Sequence, residues 1–319
     1  MKRIAVLTSG GDAPGMNAAI RAVVRKGLHH GLDTFGVERG YEGLVHCDFM
    51  PLSRNSVSGI ISYGGTTIKT ARSEAFKTHG GFMRAVRNLE DNKIDAVIVI
   101  GGDGSMAGAH KLSEVGIKTM VIPATIDNDM CGTDYTIGFD TALNTVLEAV
   151  NKIRDTAASH ERVAIVEVMG RTAGHIALLS GLACGAEAVM LPEQPLDIDA
   201  LCQQLNESHA RGKQYSIVMV AEGAAKGFEL AAQISKRTSY NPHVTVLGYI
   251  QRGGAPSAMD NIMGSRMGAL AIDTLVAGES GRLVASCKGE LLTIPYAEAF
   301  AMKRGIDLSL YDLTRILAI

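Results

Sequence analysis

Ala96-Val97-Ile98-Val99-Ile100-Gly101-Gly102-Asp103-Gly104-Ser105 is an unbroken apolar run that opens into a glycine turn carrying one carboxylate. With no polar residue alternating through it, the run reads as a strand buried on both faces, as in a parallel sheet. The turn leads into a helix to about Val115, which completes a strand–turn–helix unit. The same unit recurs on both sides. Upstream, residues 4–8 form an apolar run that breaks at Ser9-Gly10-Gly11-Asp12. Ala18, Ile20, Val23, Val24 and Leu28 then fall at helical spacing, Gly31 stops the helix, and residues 34–37 read as the next strand. Downstream, the run 119–122 ends at Pro123 and opens into Ala124-Thr125-Ile126-Asp127-Asn128-Asp129, ahead of a helix over 141–159.

Further along, strands are predicted over 164–168, 187–191, 217–221 and 244–250. Helices are predicted over 82–92, from 173, and over 198–210, 229–238 and 258–277. Residues 38–76 read as irregular, with one short helix near 56–63. Residues 283–294 read as a hairpin, and two short helices close the chain. This alternation specifies an α/β fold with right-handed parallel connections.

At 319 residues the chain exceeds one ordinary core, which favours two domains. No linker or repeat separates them, so they are expected to interleave. The 31 basic and 33 acidic residues give a net charge of −2, and nothing global points to nucleic acid or a membrane surface. No segment approaches the about 18 apolar residues of a membrane helix. The cysteines (Cys47, Cys131, Cys184, Cys202, Cys287) are odd in number and lack metal-type spacing, as expected of free thiols in a reducing cytoplasm.

Asp12, Asp103, Asp127, Arg171, Glu222 and Arg252 each follow an apolar run, which puts six polar groups at strand ends, the edge where open α/β sheets bind ligands. Gly10-Gly11 and Gly101-Gly102-Asp103-Gly104 each join a strand to a helix, whose free N–H groups favour phosphate. Neither is a Walker A loop. Asp103 and Asp129 read as magnesium ligands, because magnesium takes one or two carboxylates and completes its shell with phosphate and water. Asp127 reads as the base toward an acceptor hydroxyl. Arg72 and Arg171 read as partners of a transferring phosphoryl group; a surface ion pair is the alternative for each. A second basic set comprises Arg21 and Arg25, which share a helix face, with Arg54, Arg154, Arg211 and Lys213. Solvated surface charges are the alternative there.

At these residues the chain resembles the bacterial ATP-dependent 6-phosphofructokinases over essentially its whole length. The resemblance is carried by Leu7–Asn17, Gly101–Ser105, Thr125–Asp129, Gly138–Ala142, Lys152–Thr156, Glu167–Arg171 and Gln251–Gly254. It implies two interleaved domains, each a largely parallel sheet flanked by helices. Residues 1–138 plus about 251–301 would form the larger, ATP-binding domain. About 139–250 plus 302–319 would form the smaller, sugar-phosphate domain. The implied reaction is phosphorylation of fructose 6-phosphate at its 1-hydroxyl, in glycolysis, with Mg2+ as cofactor.

On this resemblance Asp127, Thr125 and Arg171 are catalytic. Gly11, Arg72, Ser73, Gly102, Asp103, Gly104 and Ser105 bind ATP. Met169, Gly170, Glu222 and Arg252 hold the sugar phosphate, with Arg162 supplied by a neighbouring subunit of a homotetramer. Arg21, Arg25, Arg54, Arg154, Gly185, Glu187, Arg211, Lys213 and Tyr215 fall where the family binds ADP and phosphoenolpyruvate as effectors. The chain departs from the family at the sugar's 6-phosphate, where His243 and Tyr249 replace an arginine and a histidine; a weaker phosphate pocket or an altered acceptor follows. Gly59 and Tyr215 depart at the effector site. Ala124 stands where ATP users mostly have glycine, yet Gly104, and the absence of lysine at 124, match ATP rather than pyrophosphate as donor. A non-catalytic regulatory relative is the remaining alternative, against which the intact Asp103, Thr125, Asp127 and Arg171 stand.

Overall fold

Burial follows the apolar runs. All six residues of Ala96–Gly101 are buried, as are all six of Val163–Val168 and of Ser216–Ala221. Strands buried on both faces require helices on both sides, which parallel crossovers supply. The structure, a computed structural model, describes residues 1–318. It divides the chain into two units. Unit 1 contains residues 1–125, 130–141 and 252–304, and unit 2 contains residues 126–129, 142–251 and 305–318.

Unit 1 opens with β1 (Arg3–Ser9), α1 (Met16–His29), β2 (Asp33–Val37), α2 (Gly40–His46) and β3 (Phe49–Leu52). It continues with α3 (Glu74–Lys77), α4 (His79–Asp91), β4 (Ala96–Gly101), α5 (Asp103–Glu114) and β5 (Lys118–Pro123). Helix α6 (Phe139–Ser159) starts in unit 1 and continues into unit 2. Unit 2 then runs β6 (Val163–Val168), α7 (His175–Cys184), β7 (Ala188–Met190), α8 (Ile198–Ala210), β8 (Ser216–Ala221), α9 (Gly227–Arg237) and β9 (His243–Val246). The chain returns to unit 1 for α10 (Ala258–Val276), β10 (Arg282–Cys287), β11 (Glu290–Pro295) and α11 (Tyr296–Ala301), and ends in unit 2 with α12 (Leu308–Leu317).

The sheet of unit 1 has the order β11-β10-β5-β4-β1-β2-β3. Its centre is parallel, while β3 and β11 pair antiparallel at the edges. The sheet of unit 2 has the order β7-β8-β6-β9 and is parallel throughout. One core cluster of unit 1 gathers Leu7, Val99, Val121 and Leu283 with Met106 and Leu112 of α5. A core cluster of unit 2 gathers Ile165 and Val218 with Leu201, Leu205, Leu230 and Ile234. Among the described residues no helix is long and apolar enough to cross a membrane. The five cysteines form no disulfide among the described residues.

Two expected elements differ. Residues 38–76 hold α2 and β3, and the short helix expected near 56–63 is one 3-10 turn, Ile60–Ser62. Edge strand β3, with Pro51 in it and only Leu52 buried, lacks the apolar signature of a buried strand. The strand expected over 244–250 stops at Val246. Its partner β6 ends at Val168, one residue beyond the last pair, Glu167 opposite Val246, and residues 248–252 coil into a 3-10 turn.

Candidate active site

In unit 1, β1 lies between β2 and β4. The chain leaves β1 toward one neighbour and later returns to the other. The order of the sheet therefore reverses between β1 and β4, and open α/β sheets bind ligands outside the strand ends at such a point. Ser9 pairs with Gly101 there, so Gly10-Gly11 and Gly102-Asp103-Gly104 open side by side. Ser105 Oγ donates to the Ser9 carbonyl at 3.0 Å and ties the two turns together. Gly102 caps α5, leaving Asp103 and Gly104 exposed in its first turn. Arg252 belongs to this unit: its Nη1 lies 4.0 Å from Asp12 Oδ1, over Gly11.

Arg72 is exposed, whereas Ser73 is buried at the N-cap of α3. Ser73 Oγ donates to Glu42 Oε2 at 2.5 Å. That hydrogen bond, more than the contact with His46, holds the Glu42 carboxyl below its ordinary range against the opposing effect of burial. Beyond β5, the Thr125 carbonyl accepts from Thr136 Oγ1 at 2.7 Å.

In unit 2, Asp127 is only 2% exposed. A buried carboxylate is costly without a counter-charge, and Arg171 Nε lies 3.7 Å from Asp127 Oδ2. Arg171 sits in the turn after β6, beside the end of β8, where Val168 pairs with Ala221. Its backbone N–H donates to Glu222 Oε1 at 3.0 Å. Only glycine fits at 223, because a Cβ there would stand 2.1 Å from the Arg171 carbonyl oxygen. Arg171 and Asn128 both adopt left-handed backbone, with φ of 55° and 50°, a conformation that non-glycine residues rarely occupy and that clusters at functional sites. Burial pushes the Asp129 carboxyl up, opposed by a backbone hydrogen bond and by Arg171.

The expected sugar-phosphate residues fall at two ends of β6. Met169, Gly170 and Arg171 follow its C-terminal end, where Glu222 and the exposed Tyr249 also stand. Arg162 precedes its N-terminal end, and the exposed His243 pairs there with Ala164. Six residues of strand separate these ends by about 20 Å. His243 and Tyr249, read from the sequence as parts of one phosphate pocket, are not brought together within this chain.

Of the second basic set, unit 2 gathers one part. The Glu187 carboxylate, fully buried, accepts from Ser208 Oγ and from Lys213 Nζ. Arg211 Nη2 donates to Ser208 Oγ at 3.3 Å. Arg154 donates to the Cys184 carbonyl, one residue before Gly185. Tyr215 is half-buried just before β8. Arg21 and Arg25 are half-buried on α1 and Arg54 is exposed, all in unit 1.

Two positioning groups on α8 carry no sequence signal of their own. Ser208 and Gln204, whose Nε2 donates to the Glu187 carbonyl at 2.6 Å, look like a solvated helix face. Gln251 is fully buried; its Oε1 accepts from Met169 N at 3.2 Å while its Nε2 donates to the Gly248 carbonyl at 3.0 Å.

Among the described residues no three His, Cys, Asp or Glu side chains gather to hold a metal ion. Magnesium needs few protein ligands, so an exposed carboxylate at a helix N-terminus beside phosphate-type turns fits it.

The phosphofructokinase family profile matches residues 3–275. The ATP-dependent 6-phosphofructokinase of Brevibacillus brevis is 53% identical over 319 residues, all of both chains. That of Clostridium botulinum strain Loch Maree is 51% identical over 318 residues and is likewise covered in full. Among solved structures, phosphofructokinase from Saccharomyces cerevisiae superposes with a TM-score of 0.90 at 34% identity; the match covers all of this chain and 48% of the yeast chain. A pyrophosphate-dependent phosphofructokinase from Marinobacter aquaeolei, 22% identical, shares the fold with a TM-score of 0.87 over 97% of this chain and 86% of its own.

Proposed function

This chain belongs to the phosphofructokinase family, and from that premise we propose that it transfers the terminal phosphoryl group of ATP to the 1-hydroxyl of fructose 6-phosphate, giving fructose 1,6-bisphosphate and ADP. The observation that carries the reading is full-length identity near one half to ATP-dependent relatives. The Asp127–Arg171 pair at the end of β6 supports it.

Asp127 accepts the proton of the sugar's 1-hydroxyl. Burial, with Arg171 alongside, keeps competing water from that carboxylate. Thr125 and Arg171 contact the transferred group, since a fixed guanidinium stabilises charge spread over phosphoryl oxygens. Gly11, Arg72, Ser73 and Gly102–Ser105 hold ATP, the free amides at the start of α5 facing its phosphates. Asp103 and Asp129 hold Mg2+, which neutralises charge on the phosphates when bound. Ser105 contributes by fixing the turn, its hydroxyl donated to the Ser9 carbonyl. Unit 1 is the ATP domain and unit 2 the sugar-phosphate domain.

Met169, Gly170, Glu222, Tyr249 and Arg252 bind the sugar phosphate from the same chain. Arg162 and His243, at the opposite end of β6, join from a neighbouring subunit, which makes a homotetramer with shared sites the natural assembly. The cluster around Glu187, Arg211 and Lys213, with Arg21, Arg25, Arg54 and Arg154, takes ADP and phosphoenolpyruvate as effectors. The enzyme acts in glycolysis, in the cytoplasm.

Steady-state kinetics test the reading. ATP with fructose 6-phosphate should support turnover that a chelator abolishes and Mg2+ restores, and pyrophosphate should not replace ATP. Turnover with pyrophosphate, or a better acceptor than fructose 6-phosphate, would overturn it.

A further inference from the structure

Asp260, in the first turn of α10, is fully buried and lies far along the sequence from Thr125, Asp127 and Arg171. Both of its oxygens are used. Oδ1 accepts from the Gly138 amide at 2.7 Å and from Tyr135 Oη at 2.6 Å. Oδ2 accepts from the Thr141 amide at 2.8 Å and from Thr141 Oγ1 at 2.5 Å. The Thr141 hydroxyl in turn accepts from the Ser257 amide at 2.9 Å. This carboxylate accepts the Thr141 amide in the first turn of α6, a helix of 21 residues, and the Gly138 amide just before it, and its charge matches the positive end of the helix dipole.

The segment it grips is not a passive connection. Between Tyr135 and Gly138, the Thr136 hydroxyl donates to the Thr125 carbonyl at 2.7 Å, and the Ile137 amide donates to the Pro123 carbonyl at 3.0 Å. Ala124 and Ile137 form a parallel bridge. The end of β5 is thus clamped by residues 136 and 137, whose neighbours on both sides are bonded to Asp260. All of these residues lie in unit 1. A buried charge retained at such cost, with four donors aimed at it, specifies one arrangement of this segment.

We propose that Asp260 is a positioning residue for phosphoryl transfer, acting through residues 135–138 to fix the Thr125 backbone at the reacting centre. The inference rests on the reading of Thr125 given above. Neutralising the carboxylate frees the clamp, and misplacement of a reacting group by a fraction of an ångström to 1 Å lowers turnover by up to about 100-fold.

The test compares purified full-length wild type, Asp260→Asn, Thr136→Val, the double variant and Asp127→Ser, each assayed well below its own melting temperature. Asp260→Asn should lower kcat ~10- to 100-fold with KM for both substrates unchanged. The double variant should be no slower than the slower single one, because both changes release the same clamp. Normal kcat in a folded Asp260→Asn with a lowered Tm would reduce the residue to a helix cap and overturn the inference. So would losses that multiply in the double variant. Should Asp260→Asn not fold, Tyr135→Phe removes one of the four donors and should give a smaller kcat loss at unchanged KM; an unaltered kcat there also overturns it. Activity retained by Asp127→Ser would overturn the reading of the site itself, and is told apart from failure of this inference by an inactive Asp127→Ser beside a fully active Asp260→Asn.

Discussion

Asp127 is a single carboxylate whose setting decides its chemistry. It is buried, so it has little access to water, and it faces Arg171 at 3.7 Å. Asp127→Ser keeps a polar group of smaller size but removes the proposed proton acceptor. General-base removal costs ~100- to 10,000-fold, so kcat should fall by that order while KM for fructose 6-phosphate stays near wild type. A dominant rise in KM would show a binding role instead. The opposite case is His243, which is exposed and carries no permanent charge. Restoring arginine should add a charged, forked donor. Such hydrogen bonds contribute roughly 1.5–3 kcal/mol, so His243→Arg should lower KM for the sugar phosphate ~10-fold or more at constant kcat. An unchanged KM would mean that residue 243 does not reach the phosphate in the assembled enzyme.

Among the elements, the turn after β6 illustrates how much rests on one small residue. Gly223 lets the end of β8 pass the Arg171 carbonyl, and this approach holds Arg171 in its left-handed conformation beside Glu222. Gly223→Ala must push the two turns apart, because the added carbon meets backbone rather than a flexible side chain. Displacement of Arg171 should lower kcat by ~100-fold, with little change in far-ultraviolet circular dichroism; a fully active variant would show that the guanidinium position is not critical. At this scale most of the architecture was legible. Unbroken apolar runs marked β4, β5, β6 and β8, and glycine turns marked where helices begin. Edge strand β3 was not legible in the same way, and the strand read over 244–250 ends early as β9. Both bury little and pair on one side, so the composition that betrays a central strand is missing.

For the whole molecule, the proposed effector site draws on groups that no single element contains. Lys213 and Arg211 come from the turn after α8, Glu187 from the start of β7, and Arg154 from α6. Lys213→Ala should weaken ADP and phosphoenolpyruvate binding ~10-fold or more, the scale of one charged hydrogen bond, and leave kcat unaltered; an unchanged effector titration would exclude this cluster. The sequence by itself determined the α/β class and the strand–turn–helix rhythm, and it singled out the candidate reacting groups, because apolar runs and the glycine and carboxylate residues that end them are local facts. Its Thr125–Asp129 and Gly101–Ser105 stretches also sufficed to point to phosphoryl transfer. Only the tertiary structure decided which groups share an end of a strand. It set Arg162 and His243 about 20 Å along β6 from Arg171, since a strand rises about 3.3 Å per residue. It also brought Asp260 to the start of α6, a contact between residues more than a hundred positions apart. Neither is written in any local pattern, because a buried carboxylate reads from the sequence like any acid in the first turn of a helix until its donors converge on it.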